Sequence, residues 1–184
     1  ADKKKQFAWQ TSWGLSTRTI GAMLMIHSDN TGVVLPPKVA QTQVVIIPIF
    51  YKNDDQSALK NKAQEIADKL IEAGIRVKVD DSDNHNPGFK FNSWEVKGTP
   101  IRLELGNKDM EKNEVRCAVR HSSQKFQLAQ EGIAQSVLDT LERIHSEMFE
   151  KALSARNEKL KEVNDWAAFM DALNQKCICL APWC

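Results

Sequence analysis

A strand, a helix and a second strand follow one another between residues 43 and 79, and this order constrains the fold more than any other feature. Residues 43–50 are rich in β-branched side chains, which is typical of a strand covered on both faces. The next segment repeats apolar residues at helical spacing, at Leu59, Ala63, Ile66, Ala67 and Leu70. We expect Ser57 to cap this helix and Gly74 to end it. Residues 75–79 then alternate as a strand, so a right-handed parallel crossover is predicted.

The segment that follows predicts antiparallel additions to the same sheet. Residues 87–98 are compatible with a short helix, and residues 101–105 and 115–120 alternate with period two. We expect these two strands to pair across a polar loop, with residues 126–128 as an edge strand. A long helix is predicted by apolar residues three and four apart, at Ile133, Val137, Leu141, Ile144, Met148 and Ala152. The expected fold of residues 38–153 is therefore α/β, a mixed five-stranded sheet with flanking helices.

Two shorter zones flank this unit. Residues 1–37 contain an extended segment at 7–12, a helix that ends near residues 29–32, and a short strand at 31–35. Residues 154–184 contain a charged run, a small helix and a cysteine-bearing strand, the expected start of a small α+β domain. We expect both ends to have been cut from a longer chain, because the sequence starts without methionine and stops inside an apolar segment.

Charge and cysteine content limit the kinds of partner and setting. The formal net charge is +1, so any attraction for nucleic acid must come from a local patch. Four cysteines are too few for a disulfide scaffold at this length, which favours a reducing, intracellular and cytoplasmic setting. No apolar run approaches the roughly 18 residues that a membrane span needs, and the run at residues 44–47 has the length of a strand, so no membrane span is expected.

One local patch lies between residues 86 and 125. It contains eight basic and five acidic side chains, and therefore has a local net charge of +3, with Phe89, Phe91 and Trp94 beside it. A flat basic strand surface with aromatic neighbours is suited to splayed single-stranded bases. The alternative, a solvated hairpin face above core aromatics, stays open at this point.

Two other features have similarly open interpretations. Arg18 stands where a polar stretch meets an apolar helix, which suits a phosphate contact but equally a surface ion pair. Cys177, Cys179 and Cys184 are too few for a four-ligand zinc site, and Cys177 and Cys179 fit small core residues, whereas Cys184 could begin a ligand pair. We find no Ser-His-Asp arrangement and no Gly-rich phosphate loop.

Four longer stretches, taken together, resemble one family. They are residues 10–18 (QTSWGLSTR), 26–37 (IHSDNTGVVLPP), 43–48 (QVVIIP) and 87–106 (PGFKFNSWEVKGTPIRLELG). They resemble, in order and over essentially the whole chain, the prolyl-tRNA synthetases of eukaryotic and archaeal type, which are class II aminoacyl-tRNA synthetases. The resemblance implies that residues 38–153 are a class II anticodon-binding domain.

The resemblance also implies roles for the first zone. Residues 1–37 would be the last strand and helix of an antiparallel class II catalytic sheet, which contain the third signature motif. Arg18 would be catalytic and contact ATP, Ser16 would lie beside it in the ATP site, and Trp13 and Gly14 would border the proline pocket. ATP, used with Mg²⁺, would convert proline to prolyl-adenylate, and the prolyl group would then pass to proline tRNA.

For the other two zones the resemblance implies RNA and metal contacts. The two guanines of the proline anticodon would be read by Glu95, Arg102 and Lys108, with Lys125 completing the site. Residues 154–184 would begin a C-terminal domain that binds zinc in some members, with Cys184 as a metal ligand. A homodimer would form through regions absent from this chain.

Three hypotheses follow for the chain as a whole. In the first it is part of a proline–tRNA ligase, inactive by itself because the first two signature motifs are missing, and its own task is anticodon binding. In the second it is a stand-alone tRNA-binding or protein-binding module without catalysis. In the third it is a purely structural α/β domain, which would show no preference for proline tRNA.

Overall fold

The structure is a computed structural model that describes residue 5 and residues 7–50 and 56–182. In its first half the elements are α1 (Arg18–His27), β1 (Val44–Pro48), α2 (Gln56–Glu72), β2 (Val77–Val79), α3 (Pro87–Val96) and β3 (Ile101–Leu105). In its second half they are α4 (Asn107–Glu111), β4 (Glu114–Val119), β5 (Lys125–Ala129), α5 (Ile133–Lys159), β6 (Leu160–Glu162), α6 (Trp166–Asn174) and β7 (Ile178–Leu180).

Five strands form one mixed sheet in the order β2-β1-β3-β4-β5. β1 pairs in parallel with both β2 and β3, because a helix returns the chain across the sheet each time. β3, β4 and β5 pair antiparallel through short connections. The predicted parallel crossover, the antiparallel pair and the edge strand are all confirmed.

Helices cover the two faces of the sheet unequally. α2 and α5 pack on one face, where the alternate strand residues Val44, Ile46, Ile101, Leu103, Val115 and Cys117 are buried. Among the helices that the structure describes, only α3 lies on the other face, where Trp94 packs on Val45 and Ile47 of β1. The part of this second face that belongs to β3, β4 and β5 is therefore left available for a ligand.

Several predicted details of the outer zones differ from the structure. Residues 7–16 form neither strand nor helix and are exposed, because a strand requires a hydrogen-bonded neighbour and the described chain offers none there. The predicted strand at residues 31–35 is also wrong, since only an isolated bridge joins Asp29 and Gly32. Ser57 lies inside α2 and is not its cap, whereas Gly74 does follow the end of α2 with φ of +81°.

The third zone is joined to the sheet domain by a continuous helix. α5 runs to Lys159, beyond the boundary expected at residue 153. Its end leads directly into β6, which pairs in parallel with β7 across α6. β6 was not predicted, because its sequence continues the charged run and has no alternating apolar face. Across residue 5 and residues 7–50 and 56–182, no helix is both long and apolar enough to cross a membrane.

Residues 29–35 pack closely against the C-terminal end of α3. The Val33 N–H donates to the Val96 carbonyl at 3.1 Å, and the Leu35 N–H donates to the Gly98 carbonyl at 3.4 Å. A Cβ on Gly98, whose φ is +75°, would lie 2.6 Å from the Val33 carbonyl oxygen. The two backbones can approach this closely only because residue 98 is glycine.

Candidate nucleic-acid interface

A cleft of about 330 Å³ opens between the end of α3 and the strands β3, β4 and β5. Its lining includes Glu95, Thr99, Arg102, Ala118, Arg120 and Lys125. Three of the four residues that the resemblance assigns to the anticodon therefore border one cleft, although they come from a helix and two non-adjacent strands. Lys108 is the exception, because it is exposed on α4, beyond the end of β3, and does not line the cleft.

The register of the sheet creates the floor of this cleft. Arg102 is opposite Ala118 on β4, and Ala118 is opposite Lys125 on β5, so the three side chains form a row on one face. Ala118 is small, and the space above it separates the guanidinium from the ammonium. The row offers hydrogen-bond donors on both sides of a shallow depression.

Arg102 is held in place by neighbours on every side. Its Nε donates to Glu104 Oε1 at 3.0 Å, its Nη1 donates to the Phe91 carbonyl at 3.5 Å, and its Cζ lies 4.4 Å from the centre of the Phe91 ring. Only 12% of the side chain is exposed. A planar guanidinium fixed in this way loses little conformational freedom when it forms paired hydrogen bonds to a base.

Glu95 forms the helical rim of the cleft. Its Oε2 is 3.9 Å from Arg102 Nη1, and 37% of its side chain is exposed. The carboxylate is close enough to orient the arginine and open enough to accept hydrogen bonds from a ligand. The cleft thus combines an acceptor from α3 with donors from β3 and β5.

The sequence places Arg120 among the bases of the local patch, but in the structure its charge is neutralised by Asp29. Its Nη1 and Nη2 each donate to one oxygen of Asp29 at 2.7 Å, and its Nε donates to the Glu95 carbonyl at 2.9 Å. The hydrogen bonds from Arg120, and secondly from Thr31, hold the pKa of Asp29 well below its usual range. Hydrogen bonding to Asp29 in turn raises the pKa of Arg120. Arg120 is therefore buried, and it links the segment around Asp29 to the end of α3 through hydrogen bonds.

The aromatic residues of the patch also separate into different roles. Trp94 is a core residue whose Nε1 donates to Asp80 Oδ2 at 2.7 Å, so it is not an open stacking platform. Phe89 is exposed, stacks on His85 at 4.2 Å, and does not line the cleft. Trp94 lines the cleft, whereas Phe91 does not line it and instead supports Arg102 with its ring. Lys90, another basic residue of the local patch, is buried, and its Nζ donates to the Asp80 carbonyl.

The ion pair between Asp29 and Arg120 leads to a prediction about acid stability. Because the pKa of Asp29 is depressed in the folded protein, its contribution to stability is present above the unfolded pKa of about 4 and is lost as pH falls below it. In urea unfolding, the free-energy difference between the unchanged protein and Asp29→Asn should shrink from pH 6 to pH 2. A difference that stays constant over this range would contradict the ion pair. Glu65, whose pKa is also lowered, is present in both proteins and cancels.

The residues predicted for the ATP and proline sites lie together at the start of α1. Arg18 is the first residue of the helix, and the carbonyl of Ser16 accepts the Thr19 N–H at 3.1 Å. Trp13, Gly14, Ser16 and Arg18 are all exposed. Within the described part of the chain no ion pair involves Arg18.

The structure describes three of the four cysteines. Cys177 and Cys179 are half-buried free thiols on either side of the exposed Ile178, and Cys184 lies outside the described residues. Over those residues no group of three or more His, Cys, Asp or Glu side chains could hold a metal ion. The third described thiol, Cys117, is in the core, where burial raises its pKa to about 12.

Comparison with known proteins identifies the family of the sheet domain. The sequence profile of the anticodon-binding domain matches residues 43–140, which include the whole five-stranded sheet. The chain belongs to the anticodon-binding domain family. The cleft of this anticodon-binding domain lies wholly within the matched residues, apart from its tie to Asp29.

Relatives that extend beyond the anticodon-binding domain are proline–tRNA ligases. The chain is 43% identical to the cytoplasmic proline–tRNA ligase of Arabidopsis thaliana over 97% of its own length and 34% of that protein. It is 42% identical to the proline–tRNA ligase of Encephalitozoon cuniculi, covering 37% of it. The prolyl-tRNA synthetase of Cryptosporidium parvum, solved with L-proline and AMP, has a TM-score of 0.88, is 43% identical and is covered to 40%. The chain thus spans little more than a third of these relatives.

Sequence reasoning missed three contributors to the cleft of this anticodon-binding domain. Glu104 was counted only as a negative charge, although it lies two residues after Arg102 and therefore on the same face of β3. Ala118 has no chemical signal, and its role as a floor follows only from the strand register. The pairing of Arg120 with Asp29 joins residues 91 positions apart, which no local pattern reveals.

Proposed function

We propose that the chain is the tRNA-recognising part of a proline–tRNA ligase and that its cleft reads the two guanines of the proline anticodon. One observation carries this proposal: a fixed arginine fork and a partly exposed carboxylate, 3.9 Å apart, border the same cleft in a domain of the anticodon-binding family. The relatives named above, which are proline–tRNA ligases, support proline tRNA as the partner.

The chemistry of guanine matches these side chains. Guanine presents two acceptors, O6 and N7, to which the paired donors of Arg102 can bond, and the donors N1–H and N2–H, which the Glu95 carboxylate can accept. Lys125 lies across the Ala118 floor and can neutralise a phosphate or donate to a base edge. Lys108 would act from α4, on a neighbouring nucleotide, and its exposure supports such a contact.

We also propose that residues 1–37 contribute contacts to ATP and proline. Arg18, at the N-terminus of α1, would contact ATP with Ser16, and Trp13 and Gly14 would border bound proline; the helix start adds free backbone N–H groups that suit phosphate. Exposed Trp13, Leu15 and Ile20 support the view that further protein covers this end. ATP would be used with Mg²⁺.

The domain division and the setting are also proposed. Residues 1–37 would end a catalytic domain, residues 38–153 would bind the anticodon, and residues 154–184 would begin a domain in which Cys184 could bind zinc. The whole enzyme would be cytoplasmic and homodimeric, its dimer contacts lying outside this chain. By itself the chain should bind RNA without forming prolyl-adenylate, because Arg18 is an isolated member of the ATP site.

The experiment that tests the proposal is binding of the chain to tRNAs that differ only in the anticodon, measured as the dissociation constant. A stand-alone module that binds the body of tRNA would ignore the anticodon. A structural domain would show no preference among tRNAs. Guanine-dependent binding therefore separates the proposal from both alternatives.

A further inference from the structure

The hydrogen bonds that Arg120 donates connect two segments, around Asp29 and Glu95, that are far apart in the sequence. One edge of its guanidinium binds both oxygens of Asp29 and, through Nη2 at 2.9 Å, the Thr31 hydroxyl. Its Nε binds the Glu95 carbonyl at 2.9 Å. With 4% of the side chain exposed, Arg120 has little surface with which to contact RNA.

The residue that Arg120 anchors is the open carboxylate of the cleft. Glu95 is in the last turn of α3, and its carbonyl accepts the Gly98 N–H at 3.0 Å in addition to the Arg120 Nε–H. The neighbouring Val96 carbonyl is also held from outside, by the Val33 N–H. Residues 29–33, which lie outside the matched domain, therefore hold the backbone from which the Glu95 side chain extends.

Charge gives the Asp29 carboxylate a second effect. The Asp29 fork neutralises Arg120, and Arg120 interacts electrostatically with Glu95 as well. Without the Asp29 charge, the buried guanidinium would need another carboxylate, and Glu95 is the nearby one on the cleft rim. Glu95 would then turn inward and would no longer be available to accept hydrogen bonds from guanine.

We propose that the ion pair between Asp29 and Arg120 sets the guanine selectivity of the cleft, with Arg120 as a positioning residue for Glu95. This proposal rests on the proposed function of the cleft. The segment that follows α1, which contains Asp29, would then take part in recognition of the anticodon.

The test is Asp29→Asn in the full 184-residue chain. The readout is the ratio of dissociation constants for a proline tRNA transcript and for a copy in which one anticodon guanine is adenine. We expect the preference for guanine to fall about tenfold, since one base contact is lost, while affinity for the adenine copy is kept. Glu142→Gln is the matched control, because it changes an exposed carboxylate paired with Lys38 and should leave the ratio unaltered.

A double-variant cycle separates positioning from general loosening. Adding Asp29→Asn to Glu95→Gln should cause no further loss of guanine preference, because the first change acts through the second residue. The proposal is overturned if Asp29→Asn lowers the melting temperature but keeps the preference, or if the two losses add. If the unchanged chain itself lacks guanine preference, the proposed function fails as well, and that result is visible before any variant is made.

Discussion

Arg102→Ala is expected to reduce the preference of the chain for guanine over adenine in the anticodon by about 1–3 kcal/mol. The reason is geometric: Arg102 is fixed by Glu104 and Phe91, so its free donors are already aimed into the cleft. Competition binding with proline tRNA transcripts that carry guanine or adenine at one anticodon position would measure the difference.

Two further variants make this result interpretable. Arg102→Lys keeps the charge but not the paired donors, and it should lose most of the preference too. Arg116→Ala removes an exposed arginine opposite Glu104 on the same face, and it should weaken guanine and adenine transcripts equally. Equal weakening of every tRNA by Arg102→Ala would instead make Arg102 a phosphate contact.

Gly98→Ala should have the largest effect on folding, lowering the free energy of unfolding by about 2–5 kcal/mol. The left-handed backbone at φ of +75° costs a residue with a Cβ about 1–2 kcal/mol, and the collision with the Val33 carbonyl adds about 1–3 kcal/mol of overpacking. Urea unfolding followed by circular dichroism would give the change directly.

Gly74→Ala is the matched control for this prediction. Gly74 also has a positive φ, of +81°, but a Cβ there would meet no atom within 4 Å. It should therefore show only the backbone cost of about 1–2 kcal/mol. If the two substitutions destabilise the protein equally, the close packing of residues 29–35 on the end of α3 is not formed in solution.

The sheet domain was predictable because its signals are local. The continuous β-branched run of β1, the amphipathic face of α2 and the stop at Gly74 each depend on a few neighbouring residues, and together they determine a crossover of fixed hand. The short strands of the outer zones had no such signals. β6 is charged and exposed on most of its length, and its pairing with β7 is visible only in three dimensions.

The candidate site was predictable only in part, for a related reason. Alternation along β3 placed Arg102 on one face, and the family resemblance proposed which residues contact RNA. The neutralisation of Arg120 by Asp29, and the burial of Lys90 against Asp80, depend on contacts between distant segments. These contacts turn an apparent basic patch into a small cleft lined by the largely buried Arg102, the exposed Lys125 and the Glu95 carboxylate.

The most direct measurement of the central claim is an anticodon transfer. A tRNA of another specificity, which binds the chain weakly, is given the two guanines of the proline anticodon, and its dissociation constant is compared with that of its parent. The account predicts that affinity rises toward that of proline tRNA, and that Arg102→Ala removes the gain. If binding follows the body of the tRNA and ignores the transferred guanines, the cleft does not read the anticodon.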